Sequence, residues 1–135
     1  MDKQAELRQW KEIADDDLRL ADFSAKNMCP APYAIICFHC QQAVEKYLKW
    51  FLVLHDIEPP KIHDLAEIKK LCEAINSQFS TISEKCSLLT GYAVQSRYPN
   101  EMHLEKQDMD KALEYVKEIR EFISSLCPDQ FNELK

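Results

Sequence analysis

The sequence predicts an all-α fold, an up-and-down antiparallel bundle of four to five helices. Only one glycine occurs among the 135 residues, whereas the hairpin turns and bulges of β-rich folds depend on glycine at positive φ. Apolar residues recur at intervals of three and four over long stretches, which is the pattern of amphipathic helices. Prolines and short connections separate these stretches, so neighbouring helices are expected to pack antiparallel.

The first two predicted helices span about residues 3–28 and 32–55. The apolar stripe of the first helix consists of Leu7, Trp10, Ala14, Leu18, Ala21, Ala25 and Met28. The segment "CPAP" at 29–32 ends this helix because proline cannot continue it. The second helix carries apolar residues around most of its circumference, so we expect it to contact neighbours on more than one side.

Two further helices are predicted in the middle of the chain. The third begins at "HDLAEIKK", where Asp64 and Glu67 have the spacing of a capping box. The fourth begins near "TISE", which repeats that spacing, and runs to Pro99. Gly91 then lies inside this helix, where the close approach of a neighbouring helix, or space for a ligand, would explain it.

The fifth predicted helix covers about residues 105–127 and is stopped by Pro128. Its apolar stripe consists of Met109, Leu113, Val116, Ile119, Ile123 and Leu126. We expect residues 129–135 to form a short frayed tail. Residues 1–128 are then predicted to be a single domain, since the chain has the usual length of one domain.

The composition argues against several classes of partner. The net charge of −6 argues against a DNA duplex bound through overall charge. No apolar run approaches the roughly 20 residues that a membrane-spanning helix needs, and the charged start "MDKQAELRQW" lacks the apolar segment of a secretory signal. We therefore expect a cytoplasmic protein without membrane contact, whose cysteines stay reduced.

The segment "CFHC" at 37–40 looks like a metal or redox motif, but its context predicts packing. A structural zinc site needs four ligands, usually from two such pairs, and no second close pair occurs in the sequence. The segment also lies inside an apolar helix, where free cysteine is commonly a small buried hydrophobe. We expect no metal and no cofactor.

A row of polar residues follows one face of the second helix: His39, Gln42, Lys46 and Lys49. Their spacing of three or four residues places them on the same side of the helix. This side is either a solvated face or a polar, basic groove for phosphate or a partner chain. His63, just before the third helix, is expected to cap that helix or to line the same groove.

Arg97 and His103 form the third candidate constellation. In an unbroken helix they would face in different directions, but Pro99 forces a turn between them, so that the two side chains can converge. A histidine can take the proton of an RNA 2′-OH as a general base. An arginine can hold the phosphate and stabilise the charge that develops on it. The pair is therefore a candidate for RNA cleavage without a metal.

The segment "FHCQQAVEKYLKWFLVLHDIEPPKIHDL", followed by "YAVQSRYP", resembles the HEPN domain family. The likeness is greatest to a small prokaryotic branch whose genes often accompany a minimal nucleotidyltransferase, and it covers about residues 5–126. The resemblance implies a bundle of four or five helices, usually a homodimer, with a nucleotide or RNA as ligand. Many relatives are thought to be metal-independent RNases, often toxins, that use an arginine followed four to six residues later by a histidine.

Several functions follow from this resemblance. In the first, the protein is a non-catalytic module that binds a nucleotide, an RNA end or a partner nucleotidyltransferase, within a two-gene system of the toxin–antitoxin kind. The α-helical face with Lys46 and Lys49, together with Arg97 and Tyr98 of "RYP", would form the binding site. In the second, a dimer cleaves RNA, with Arg97 binding phosphate and His103 acting as general acid and base. A bundle that only dimerises is a third possibility.

Overall fold

A computed structural model describes residues 2–93 and 103–133. The elements in chain order are α1 (Lys3–Asn27), α2 (Tyr33–Leu54), α3 (Leu65–Ile75), a 3-10 helix (Ser77–Ile82), α4 (Ser83–Thr90), α5 (Lys106–Leu126) and α6 (Pro128–Glu133). Within these two ranges the chain forms no β-strand. The predicted all-α class is confirmed.

The helices α1 and α2 form an antiparallel pair. Lys3, at the start of α1, lies 3.1 Å from the carboxylate of Asp56, just beyond the end of α2. Asp17, in the second half of α1, contacts His39 in the first half of α2. The carboxylate of Asp2 caps α1, accepting a hydrogen bond of 2.8 Å from a backbone N–H group of the first turn.

The helix α2 lies at the centre of the bundle. It packs against α1, α3, α4 and α5, and even polar members of its sequence, Gln41, Glu45 and Lys49, are buried. The expectation of neighbours on more than one side is therefore confirmed. In the described ranges, no helix has both the length and the apolar character needed to cross a bilayer.

The fourth helix starts later and ends earlier than predicted. Thr81 does not cap it; its hydroxyl donates to the backbone oxygen of Gln78 at 2.8 Å, within the 3-10 helix that precedes α4. The side chain of Asn76 caps that 3-10 helix by accepting from a backbone N–H group at 2.9 Å. The helix α4 ends at Thr90, and the predicted continuation beyond residue 93 lies outside the described residues.

Gly91 follows the last residue of α4, so the prediction that it lies in the middle of a helix is wrong. Its φ of −63° and ψ of −16° lie in the right-handed helical region. Among the described residues, a Cβ atom added here would meet only the backbone oxygen of Leu88, at 3.7 Å. This is an ordinary van der Waals contact, so the close approach of a neighbouring helix does not explain the glycine.

The prediction of a frayed tail from residue 129 is wrong as far as residue 133. Pro128 ends α5 but opens α6, since proline suits the first position of a helix. Phe131 of α6 is fully buried, and its ring centroid lies 5.1 Å from that of Trp50 and 6.1 Å from that of Tyr47. Burial of such a ring outweighs the entropy of a free tail.

Candidate functional site

The polar face of α2 meets a carboxylate of α1. Asp17 lies between two basic side chains, with its Oδ1 3.0 Å from His39 Nδ1 and its Oδ2 2.5 Å from Lys46 Nζ. The side-chain oxygen of Gln42 lies 3.5 Å from the same ammonium group. We call these four residues the Asp17 cluster. The sequence spacing correctly placed three of its members on one side of α2, and the cluster is half-buried rather than fully solvated.

Lys49, the fourth residue of the predicted row, lies below the surface. Its ammonium group donates to Glu45 Oε2 at 3.0 Å and lies 5.9 Å from the ring centroid of Trp10 in α1. The side chain is buried. Lys49 therefore does not add its charge to the surface beside Lys46.

His63 does not cap α3, so the first of the two roles expected for it is wrong. The cap is Asp64, whose carboxylate accepts from two backbone N–H groups of the first turn. His63 instead contacts α2, with its Nδ1 2.9 Å from Glu45 Oε1, and its backbone oxygen accepts from Gln41 Nε2 at 3.0 Å. The "HDL" turn is thereby attached to the middle of α2.

Gln41, Glu45 and Lys49 form a buried polar ladder along α2, each one helical turn from the next. The side-chain nitrogen of Gln41 also lies 3.4 Å from Glu45 Oε1, so the Glu45 carboxylate has partners at both of its oxygens. Burying a charge requires this kind of compensation. Sequence reasoning missed Gln41 and Glu45; their four-residue spacing is visible, but the partner at His63 is not.

The segment with Arg97 and Tyr98 lies outside the described residues, so their predicted roles stay predictions. His103 is exposed. The next residue, Leu104, lines a cavity of about 290 Å³ at the start of α2, together with Pro32, Tyr33, Ala34 and Ile35. Leu104 therefore lies beside the same end of α2 that carries His39.

A second polar cluster joins α1, α2 and α5. Arg120 Nε lies 3.0 Å from Asp15 Oδ1 and 3.0 Å from the hydroxyl of Tyr47, and Tyr47 donates a short hydrogen bond to Asp15. Burial acts to raise the pKa of Asp15, but the hydrogen bonds from Arg120 and Tyr47 and the charge of Lys11 outweigh it, so the pKa lies below its ordinary value. This cluster holds helices together.

The two cysteines of the "CFHC" segment are part of the core. Cys37 and Cys40 are fully buried, and burial raises the pKa of the Cys37 thiol to about 12. Thiols with raised pKa values are poor nucleophiles and poor metal ligands. The part of the chain that the structure describes contains no group of three or more His, Cys, Asp or Glu side chains arranged to hold a metal ion.

Comparison with known proteins identifies the class. A model of the HEPN domain matches residues 7–126, and the chain belongs to this family. A crystal structure of TT1696 from Thermus thermophilus is similar with a TM-score of 0.71 and 24% identity, over 88% of this chain and 96% of that one.

A second solved structure shares the fold. It is ST0689, an archaeal HEPN homologue, with a TM-score of 0.68 and 20% identity over 89% of this chain and 96% of that one. At these identities the likeness shows the fold alone. Among curated proteins, none matches the chain.

Proposed function

We propose that this HEPN domain binds a nucleotide or RNA through its phosphate at the Asp17 cluster. The observation that carries the proposal is that the carboxylate of Asp17 contacts two basic side chains, those of His39 and Lys46. The cluster therefore brings an ammonium group and an imidazole together around one carboxylate, in a chain of net charge −6. Lysine binds phosphate as a point charge, and the amide of Gln42 offers both a donor and an acceptor.

The surroundings of the cluster support the same ligand. The cavity at the start of α2 is lined by Tyr33 and Leu104, and an aromatic ring is a platform on which a base can stack. His103 lies next to this cavity in the chain. In the proposal, Arg97 adds a second phosphate contact and Tyr98 adds a second aromatic ring. Lys49 does not contact the ligand, because its ammonium group is buried and paired with Glu45.

A titration with a matched control tests this proposal. We expect Lys46→Glu to weaken the binding of AMP, ATP or a short RNA about tenfold or more, as measured by calorimetry or fluorescence anisotropy. Lys70→Glu makes the same charge change on α3, where Lys70 is exposed and paired with Glu67, and should bind like wild type. Equal affinities of wild type and Lys46→Glu for every ligand would overturn the proposal.

The same face is the proposed contact for a partner nucleotidyltransferase of a two-gene, toxin–antitoxin-like system. Titration of a purified minimal nucleotidyltransferase against wild type, Lys46→Glu and Lys70→Glu shows whether the Asp17 cluster binds the partner protein as well as the nucleotide. Loss of protein binding with unchanged nucleotide binding in Lys46→Glu would assign the cluster to the protein partner. If Lys46→Glu binds the nucleotide and the nucleotidyltransferase as wild type does, the Asp17 cluster is the binding site of neither.

A metal-independent RNase is the second candidate. The observation that favours it is that His103 is exposed and directly precedes Leu104, which lines the cavity at the start of α2. In this reaction His103 takes the proton of the 2′-OH as general base, and the 2′-oxygen attacks the phosphorus of the phosphate group that Arg97 holds. The P–O5′ bond breaks, and the protonated His103 returns its proton to the leaving 5′-oxygen as general acid. The products are a 2′,3′-cyclic phosphate and a free 5′-OH.

Cleavage assays distinguish this candidate from the binding module. We expect activity in EDTA that is lost in both Arg97→Ala and His103→Ala and kept in His55→Ala, which removes a different exposed histidine. A His103→Ala variant that cleaves like wild type would exclude the catalytic assignment. If wild type does not cleave RNA but binds it, the module is the better description.

A further inference from the structure

His63 has one ring nitrogen bound to the fold, while most of its side chain lies in solvent. Its Nδ1 is 2.9 Å from Oε1 of Glu45, and its side chain is 68% exposed, whereas that of Glu45 is 5% exposed. The backbone at this position is also held, because Gln41 Nε2 donates to the backbone oxygen of His63 at 3.0 Å. The imidazole is therefore accessible and oriented at the same time.

The contact with Glu45 determines which nitrogen of a neutral His63 carries the lone pair. The other oxygen of Glu45 accepts from the Lys49 ammonium group at 3.0 Å, so the carboxylate is an acceptor at both oxygens. An acceptor next to Nδ1 requires the ring proton to be on Nδ1. The lone pair of the neutral ring then lies on Nε2, the nitrogen that does not contact Glu45.

Glu45 also stabilises the charge that a reaction at Nε2 creates. When the Nε2 lone pair forms a bond, the imidazole becomes a cation, and part of its positive charge lies on the Nδ1–H group. A buried carboxylate hydrogen-bonded to Nδ1–H stabilises such a cation and holds the ring in one tautomer, as in a catalytic triad. His63 is therefore suited to act as a nucleophile, with Glu45 as its positioning residue.

Two other histidines of the chain differ from His63 in one property each. His39 Nδ1 also contacts a carboxylate, that of Asp17 at 3.0 Å, but the His39 side chain is only 23% exposed. His55 is exposed, but its ring packs against that of Phe51, with 4.5 Å between the centroids, rather than against a carboxylate. His63 combines exposure with the carboxylate contact.

We propose that His63 is a phosphoryl-acceptor site, which takes a phosphoryl group on Nε2 from a phosphoramidate, the class of donor that includes phosphohistidine. The Nε2 lone pair attacks the phosphorus, and the phosphorus–nitrogen bond of the donor breaks. The donor nitrogen, already protonated, leaves with the electron pair of that bond. The Nδ1 proton stays in its hydrogen bond to Glu45 throughout. One phosphorus–nitrogen bond replaces another, so the transfer needs no further reactant.

The acceptor site consists of different residues from the Asp17 cluster. Gln41 connects the two, because its Oε1 accepts from Gln42 Nε2 at 2.7 Å while its own Nε2 donates to the backbone of His63. The inference does not rest on the proposed ligand. Phosphorylation of a chain that binds no nucleotide would leave it standing, and nucleotide binding without phosphorylation would overturn it alone.

Incubation of the full chain with phosphoramidate tests the site. We expect His63 to be labelled about tenfold or more faster than His55, as measured by mass spectrometry of peptides kept at alkaline pH, where phosphohistidine survives. In denaturing urea, where Glu45 no longer holds the ring, the two histidines should react at similar rates. Labelling of native His63 no faster than His55, or labelling chiefly at His39, would overturn the proposal.

The isomer of the product is a second readout on the wild-type chain. Nδ1 is covered by Glu45, so phosphorus NMR should show the phosphoryl group on Nε2 of His63. Free histidine side chains can react at either nitrogen, and the urea-denatured chain should therefore give both isomers. A native product on Nδ1 would overturn the proposal.

Variants test the part played by Glu45. His63→Gln should reduce native labelling to the level of the remaining histidines. The double variant Glu45→Gln/Lys49→Met keeps an acceptor for Nδ1 but removes both buried charges together, so that neither is left unpaired. With a native circular dichroism spectrum, it should lower the ratio of the His63 rate to the His55 rate about tenfold. This ratio is internal to one molecule and does not follow from stability, so an unchanged ratio would overturn the proposed role of Glu45.

Discussion

Replacing Glu45 with alanine should strongly destabilise the fold. Glu45 is buried and accepts hydrogen bonds from Gln41 and Lys49, while His63 lies 2.9 Å from its Oε1. Its removal leaves the Lys49 ammonium group buried beside Trp10 without a counter-charge. Breaking a buried ion pair in this way costs about 3–5 kcal/mol. The free energy of unfolding of a native protein is about 5–15 kcal/mol, so Glu45→Ala should remove a large fraction of it.

Urea unfolding followed by circular dichroism measures this loss as a lower midpoint at unchanged slope. The matched control is Glu67→Ala, which removes the carboxylate of the exposed Glu67–Lys70 pair on α3 and should change stability by about 1 kcal/mol or less. The double variant Glu45→Leu/Lys49→Met removes both buried charges and should regain most of the loss. If Glu45→Ala costs no more than the control, the buried polar ladder does not stabilise the fold as argued.

Three further outcomes are expected. The pKa of Asp15 is lowered in the folded state, so the stabilisation by its carboxylate is present above pH 3.8 and is lost as the pH falls through the folded-state pKa. The free energy of unfolding of Asp15→Asn should be lower than that of wild type by roughly 1–3 kcal/mol at pH 7. This difference should shrink below pH 3.8, and a constant difference would contradict the reasoning. A thiol reagent should label one cysteine rapidly in the native protein, the exposed Cys29, and all six in denaturant; a second fast thiol would contradict the burial of the others. Gly91→Ala should leave stability unchanged or raise it by about 0.5 kcal/mol in a urea titration, because φ is −63° and the added Cβ has room; clear destabilisation would show crowding at this site.

The long helices were predictable because their signals are local. In α1, α2 and α5, apolar spacing marks the buried side, and proline-containing segments mark several of the ends. The middle of the chain was less predictable. The spacing of Thr81 and Glu84 is that of a capping box, but Asn76 caps an earlier 3-10 helix instead. Helix α6 was missed because the burial of Phe131 depends on Tyr47 and Trp50, more than eighty residues earlier.

The candidate site was predictable only in part, for a related reason. Helical spacing showed that His39, Gln42 and Lys46 share a side of α2. It did not show that Asp17, on the preceding helix, would lie between two of them, or that Lys49 would be buried. Such pairs join residues more than twenty positions apart, so they are properties of the packed bundle rather than of any one segment.

The chain contains two tryptophans in contrasting surroundings. Trp50 is fully buried, its indole nitrogen has no hydrogen-bond partner among the described residues, and its ring meets Phe131 of α6 edge-on. Trp10 is half-buried, donates to Glu6 at 3.3 Å and lies over Lys49. An indole in apolar surroundings emits at shorter wavelength than one near water and charges. Without any added label, the emission of Trp50 can thus report on the packing of α6, and the emission of Trp10 on whether Lys49 remains beside its ring.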